Sequence, residues 1–134
     1  MIDARVAASF GKQSMMTSLG AELVAAGNGH CVIRAPRLAQ FGQQHGAAHA
    51  AVAFALGDSA AGYAALTLMP EGQEVMTAEM KINLLSPAMG PTFEALGEVI
   101  RAGRRLSVVR AEVFALDGDA RKSVALLQGT MIGV

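Results

Sequence analysis

Cysteine is all but missing: Cys31 is the one cysteine among 134 residues, so no disulfide can form within the chain. A lone thiol suits a reducing cytoplasm, where the protein is expected to reside. Cys31 lies in an apolar, strand-like run, where a buried and inert thiol is expected rather than a nucleophile. Charge is scarce and balanced, with 11 basic and 11 acidic residues and a formal net charge of +0. Nucleic-acid binding usually leaves a basic excess, so no nucleic-acid partner is expected. No apolar run reaches membrane-spanning length without a Gly, Pro or charge, so no membrane partner is expected either. The N-terminal MIDARVAASFGKQ carries an acid and lacks the apolar block of a signal peptide, which argues against secretion. Repeats, charge blocks and low-complexity linkers are absent too. The simplest organisation is one domain over residues 1–134, long enough to bury a proper core.

What the chain does have is a long alanine-rich stretch, Gly42 to Leu66, that reads as a helix apolar almost all round. Such a helix belongs in a core, and alanine lets neighbouring backbone pack close to it. Far inside it stands one acid, Asp58. A carboxylate there is costly unless it is paired, hydrogen-bonded or functional.

Around this helix the remaining signals fall in order. Asp3 to Thr17 has helical character, with Val6, Phe10 and Met15 available for a packing face. Leu19 to Ala26 and Gly29 to Ala35 read as strands joined by hairpin chemistry at Gly27-Asn28-Gly29. Pro36 ends that ladder, and Arg37 to Gln44 leads into the helix. After a turn at Pro70-Glu71-Gly72 the pattern is β: Gln73 to Leu85, Thr92 to Arg101, Leu106 to Leu116 and Lys122 to Ile132, with a tight turn at Asp117-Gly118-Asp119. In the third of these, Val108, Arg110, Glu112 and Phe114 alternate with Val109, Ala111, Val113 and Ala115. The simplest solution is α+β, one antiparallel sheet curled over the alanine-rich helix.

The segment around Gly46, His49 and Asp58 carries a resemblance, together with Val75-Met76-Thr77, Asn83-Leu84-Leu85-Ser86-Pro87-Ala88, Gly103-Arg104-Arg105-Leu106 and Gly129-Thr130-Met131. These resemble the hotdog fold and, within it, the PaaI-like acyl-CoA thioesterases. Members commonly carry Asn-x-x-Gly-x-x-His-Gly-Gly with an acid nine residues after the His, a spacing that Gly46, His49 and Asp58 keep. Gln43 stands at the Asn position, and Ala50-Ala51 replace the two glycines. The resemblance implies a hotdog fold, an acyl-CoA substrate and sites formed across a dimer interface. It implies no metal and no cofactor beyond coenzyme A as part of the substrate.

Thioester hydrolysis needs a group to stabilise the oxyanion and a group to attack or to activate water. In the family the first residue after the His supplies a backbone N–H to the thioester carbonyl, and Ala50 keeps that N–H. A helix N-terminus suits this work, and here it is expected near His49 to Ala51. Asp58 is the candidate nucleophile or general base, the two roles being left open, and Thr77 matches the position of a hydroxyl that holds the water or the acid. Gln43 keeps the family's amide on a longer side chain. Ala50 and Asp58 are eight residues apart, about 12 Å along one helix axis, so one chain cannot place both beside one carbonyl. Two antiparallel helices must meet, which predicts a homodimer with two equivalent sites, or two such dimers paired as a homotetramer.

Each assignment has a plainer counterpart. Asp58 has the alternative of a structural acid capped by Ser59 or by a backbone group. His49 is expected to orient the loop at the helix start rather than act chemically. His45 and His49 have the i, i+4 spacing of a metal pair without a companion acid motif, and His30 is expected to be uninvolved. Gly46 belongs to the substrate-binding loop. Arg104 and Arg105, with Arg101 nearby, either bind the phosphates of coenzyme A or form a solvated hairpin end. Met69, Met76, Met80 and Met89 fill the core or line an acyl tunnel. The leading function is hydrolysis of a medium-chain or aryl acyl-CoA. The alternatives are a non-catalytic acyl-CoA-binding dimer and a hotdog hydratase. A hydratase would carry a His five residues after the Asp, where this chain has Tyr63.

Overall fold

Gln13 breaks the expected N-terminal helix in two. It takes an extended conformation (φ −84°, ψ 96°) between α1 (Ala4–Lys12) and α2 (Ser14–Ser18). Asp3 starts α1 by accepting from the N–H groups of Arg5 and Val6, the role of an N-cap carboxylate. The break re-aims α2, so Met16 and not Met15 enters the core beside Val6, while Met15 stays exposed. Leu19 closes α2 through its N–H to Met15, and the first strand therefore begins three residues later than expected.

The computed structural model describes residues 1–134. Strand β1 (Glu22–Gly27) pairs with β2 (His30–Pro36). Asn28 (φ 52°) and Gly29 (φ 79°) join them, the two left-handed residues that a type I′ turn requires. The central helix α3 runs Ala50–Leu66. It does not begin at Gly42. Residues 42–48 fold back on themselves, with the Gln43 N–H donating to Ala47 O at 2.9 Å and Gly46 at φ 89°. That dihedral is left-handed, open to glycine and incompatible with a right-handed helix.

Four longer strands follow: β3 (Val75–Leu84), β4 (Thr92–Ala102), β5 (Leu106–Asp117) and β6 (Ala120–Gly133). They complete a six-stranded antiparallel sheet of order β1-β2-β4-β5-β6-β3. Period-two alternation sends Val109, Ala111, Val113 and Ala115 of β5 into the core, and leaves Val108, Arg110, Glu112 and Phe114 on the outer face. Helix α3 packs across the inner face against β2 to β6. Its alanines explain how close it comes: Ala60, Ala61 and Ala64 are fully buried. A Cβ on Gly97 of β4 would lie 2.3 Å from the backbone C and O of Ala60. The far end of α3 is held by Arg5, whose guanidinium donates to Leu66 O at 3.1 Å and Met69 O at 2.9 Å. Leu66 is the last residue of α3, and Met69 lies in the turn that follows it.

One stripe of α3 remains uncovered. Ala51 is exposed, and Phe54, Ala55 and Asp58 are half-buried, so Asp58 lies on an outward face and not deep in the core. Among the methionines, Met69 and Met80 pack against the core, whereas Met76 and Met89 are exposed. No helix is long and apolar enough to cross a membrane.

Candidate active site

Thr77 and Asp58 come together. Register is the reason: between Thr77 and Glu79 the pairing of β3 with β6 slips by one residue at Ala78. Such a bulge re-aims side chains, and here it leaves Thr77 on the face toward α3, opposite Met131 of β6. Thr77 Oγ1 donates to Asp58 Oδ1 at 2.7 Å. Asp58 Oδ2 has no partner, and no cation pairs with the carboxylate. Both residues line a cavity of about 350 Å³ whose far wall is Ser9, Gln13, Ser59 and Tyr63.

Ser59 does not cap Asp58. Its Oγ donates to Gln13 Oε1 at 3.1 Å, and Gln13 Nε2 donates to the Tyr63 hydroxyl at 2.9 Å. Ser9 and Gln13 are site-wall residues that motif reasoning missed. No local signal pairs them, because Gln13 lies just past the end of α1 in an extended conformation.

Gln43, His49 and Ala50 gather in a second cavity, of about 540 Å³, near the start of α3. His49 is the N-cap: its Nδ1 accepts from the Ala51 N–H at 2.9 Å. The backbone N–H of His49 in turn donates to Phe41 O at 2.8 Å. With the Ala51 donor used by the ring, the Ala50 N–H is left without an acceptor at the positive end of the helix. Gln43 Oε1 accepts from the His45 N–H, which leaves the Gln43 amide N–H groups free. His45 and His49 belong to no cluster of three or more metal-ligating side chains, and His30 is exposed at the start of β2.

Within one protomer the two cavities are separate, Asp58 and Thr77 in one, Ala50 and Gln43 in the other. Arg104 and Arg105 are exposed at the β4–β5 turn and line neither. Ser107, just beyond them, is in register with Met131 and through it with Thr77, which puts this turn at the Thr77 end of the sheet. Cys31 is buried in β2, and burial pushes its thiol up to about 12 from 9.0, so it stays protonated and unreactive.

The thioesterase superfamily model matches residues 45–121, more than half of the chain and including the whole of α3. The chain belongs to the thioesterase superfamily. A thioesterase family protein of Silicibacter pomeroyi is 35% identical to it, with a TM-score of 0.94 over 97% of this chain and 96% of that one. The PaaI protein of the Escherichia coli phenylacetic acid degradation operon has the same fold, with a TM-score of 0.85 at 23% identity over 96% and 89% of the two chains. A provisionally named esterase of Saccharolobus solfataricus is 32% identical over 90 residues, which are 67% of this chain. The match spans 64% of that curated relative's own length. The fold of this superfamily member is thus the hotdog fold, a curved antiparallel sheet around a central helix.

Proposed function

We propose that the protein is a cytoplasmic acyl-CoA thioesterase that cleaves a medium-chain or aryl acyl-CoA to the free acid and coenzyme A. In this reading two equivalent sites are shared across a homodimer, and two dimers can pair as a homotetramer. The observation that carries it is Asp58: one oxygen held by Thr77, the other unpartnered, with no cation paired to the carboxylate.

Three further observations support it. The Ala50 N–H is a free donor on the same helix, about 12 Å from Asp58 at roughly 1.5 Å per residue, so a second chain must bring it to the first chain's Asp58. The uncovered stripe of α3, Ala51, Phe54, Ala55 and Asp58, is a surface that a second helix can cover. Strand β3 is an edge strand with exposed Met76 and Leu84 on it, the kind of open edge that a second copy closes.

The chemistry then balances in either of two ways. Asp58 Oδ2 attacks the thioester carbonyl carbon, the C–S bond breaks, and the thiolate leaves and takes a proton from solvent. Water then cleaves the resulting anhydride and restores the carboxylate. Alternatively Asp58 removes a proton from a water that attacks the same carbon, and the proton passes to the departing thiolate. Both routes place negative charge on the carbonyl oxygen, where the Ala50 N–H of the second chain donates. Thr77 fixes Oδ1 and so aims Oδ2. Gln43 and Gly46 shape the loop at the carbonyl, and Arg104 and Arg105 face the phosphates.

A free-thiol release assay over a panel of acyl-CoAs tests this. Turnover that disappears in Asp58→Asn while the protein stays folded and dimeric is expected. Turnover unchanged in that variant removes Asp58 from the chemistry, and binding without turnover in the wild type leaves an acyl-CoA-binding protein.

A further inference from the structure

Four arginines pair with carboxylates: Arg5 with Asp3, Arg34 and Arg121 with Glu94, and Arg110 with Glu98 and Glu112. Four do not, and three of these, Arg101, Arg104 and Arg105, stand together at the β4–β5 turn. No Asp or Glu occurs between Glu98 and Glu112, and both of those are held by Arg110. The turn therefore carries three positive charges that nothing on it offsets, in a chain whose formal net charge is +0. It is a closed turn, since the Gly103 N–H donates to Leu106 O at 2.9 Å.

Aliphatic side chains accompany the charge. Ile100, in the bulge between Val99 and Arg101, is 53% exposed, and Leu106 is 50% exposed. Arg101 is in register with Val108, and Leu106 with Ile132, so alternation puts these four on the outer face of the sheet. Phosphate oxygens alone would satisfy the arginines and leave the aliphatic residues wet. A protein surface that sets carboxylates around an apolar contact satisfies both, and arginine is enriched in such interfaces. A lipid surface is a poorer match, because the turn lacks the amphipathic helix that lies in one. Strands β4 and β5 are interior to the sheet, so a second copy that closes the β3 edge leaves this turn open.

We infer that the outer face of the β4–β5 turn docks a small acidic carrier protein, which presents its acyl thioester to Asp58 on a pantetheine arm. Its purpose rests on the thioesterase reading, since the arm must end at that acid. The same arm carries the thioester in coenzyme A, so only the head group differs. Arg104 and Arg105 serve either head group, phosphate or carboxylate, while Ile100, Arg101 and Leu106 serve the protein alone. Reach is sufficient. Ser107 is in register through Met131 with Thr77, two strand spacings or roughly 10 Å away. Extended pantetheine matches about five residues of chain, roughly 17 Å, enough to pass from this turn over the end of the sheet. Hydrolysis then balances as for coenzyme A: water supplies the acid's oxygen, the C–S bond breaks, and the carrier thiol takes the proton.

The test presents one acyl group three ways: on an acyl carrier protein, on coenzyme A and on pantetheine alone. For the carrier ester, kcat/KM is expected to exceed that of the pantetheine ester at least about tenfold and to fall with added salt. Ile100→Asn and Leu106→Asn are each expected to lower the carrier value about fivefold and to leave the coenzyme A ester unchanged, with melting temperatures measured alongside. Arg101→Glu is expected to lower it at least about tenfold, and a carrier with Lys for Glu on its acidic helix to regain part of the loss. Titration of the acylated carrier onto Asp58→Asn reads docking without turnover. A carrier ester cleaved no faster than the pantetheine ester would overturn the proposal. So would variants that act equally on carrier and coenzyme A esters, or binding to anionic vesicles without binding to the carrier. If no ester is cleaved but the carrier binds and Arg101→Glu abolishes that binding, docking stands and the catalytic reading fails.

Discussion

Thr77 Oγ1 donates to Asp58 Oδ1 at 2.7 Å, tying the edge strand of the sheet to the one acid on the uncovered stripe of α3. The bulge at Ala78 makes this contact possible, because regular alternation from Met80 back along β3 would point Thr77 away from the helix. A hydrogen bond to a charged group is worth about 1.5–3 kcal/mol, so Thr77→Val is expected to lower kcat/KM by roughly ten- to a hundredfold. Thr77→Ser, which keeps the donor, is expected to retain most of the activity. Steady-state kinetics on both variants check this, and equal rates for wild type and Thr77→Val would show that the bond does not position the acid.

The closeness of α3 to the sheet makes a stability prediction. At Gly97 a Cβ would lie 2.3 Å from backbone atoms of Ala60, which cannot step aside. At Gly57 the nearest atoms, at 2.7 and 2.9 Å, are the ends of the Leu127 side chain, which can rotate. Gly97→Ala is therefore expected to cost about 3 kcal/mol, the upper end of the usual overpacking range, and Gly57→Ala clearly less. Urea unfolding of the two variants measures this, and the reverse order would mean that the helix does not rest on β4 as described.

Arg104 and Arg105 give a prediction that separates the two halves of the substrate. With both changed to Ala, KM for acyl-CoA esters is expected to rise roughly tenfold through lost charge-assisted bonds to phosphate, with kcat little altered. Short thioesters lacking the nucleotide are expected to show almost no change. Equal effects on both kinds of ester would assign the pair to a solvated turn.

Cys31 predicts an alkaline loss of stability. Its thiol titrates at about 12 in the folded chain against 9.0 unfolded. The raised folded value means the native state keeps a proton that the unfolded chain has released. The thiol's contribution is thus fully present below about pH 9 and is lost as pH rises toward 12, at about 1.4 kcal/mol per pH unit. Under reducing conditions, unfolding free energies of the wild type are expected to fall more steeply over that window than those of Cys31→Ala. Parallel slopes would show that burial does not hold the thiol.

Where a local signal existed, the sequence was legible. Asn28-Gly29 named its own turn, since both residues had to be left-handed, and alternation along β5 named its buried face. The spacing of Gly46, His49 and Asp58 carried the family and with it the hotdog fold. Long-range or conformational features were not legible. Gly11 and Ser14 near Gln13 are only weak helix-breaking signals, and its extended backbone answers to Ser59 and Tyr63, 46 and 50 residues away. The start of α3 was obscured because alanine continues toward the loop, and Gly46 reveals its left-handed turn only in the fold. Ser59 beside Asp58 suggested a cap, but its hydroxyl points to α1.

A shared site is best tested by mixing two inactive variants. Ala50→Pro removes the N–H alone: proline is well tolerated at the first position of a helix, and His49 at ψ 143° already has the extended backbone that precedes a proline. Asp58→Asn removes the carboxylate. Each homodimer is expected to be folded and at least about a hundredfold less active. In a mixed dimer one site receives both defects and the other receives neither, so random reassortment should restore about a quarter of wild-type activity. Activity that stays at the level of the separate variants, with mixed dimers shown to be present, would place both groups of each site in one chain and contradict the shared pocket.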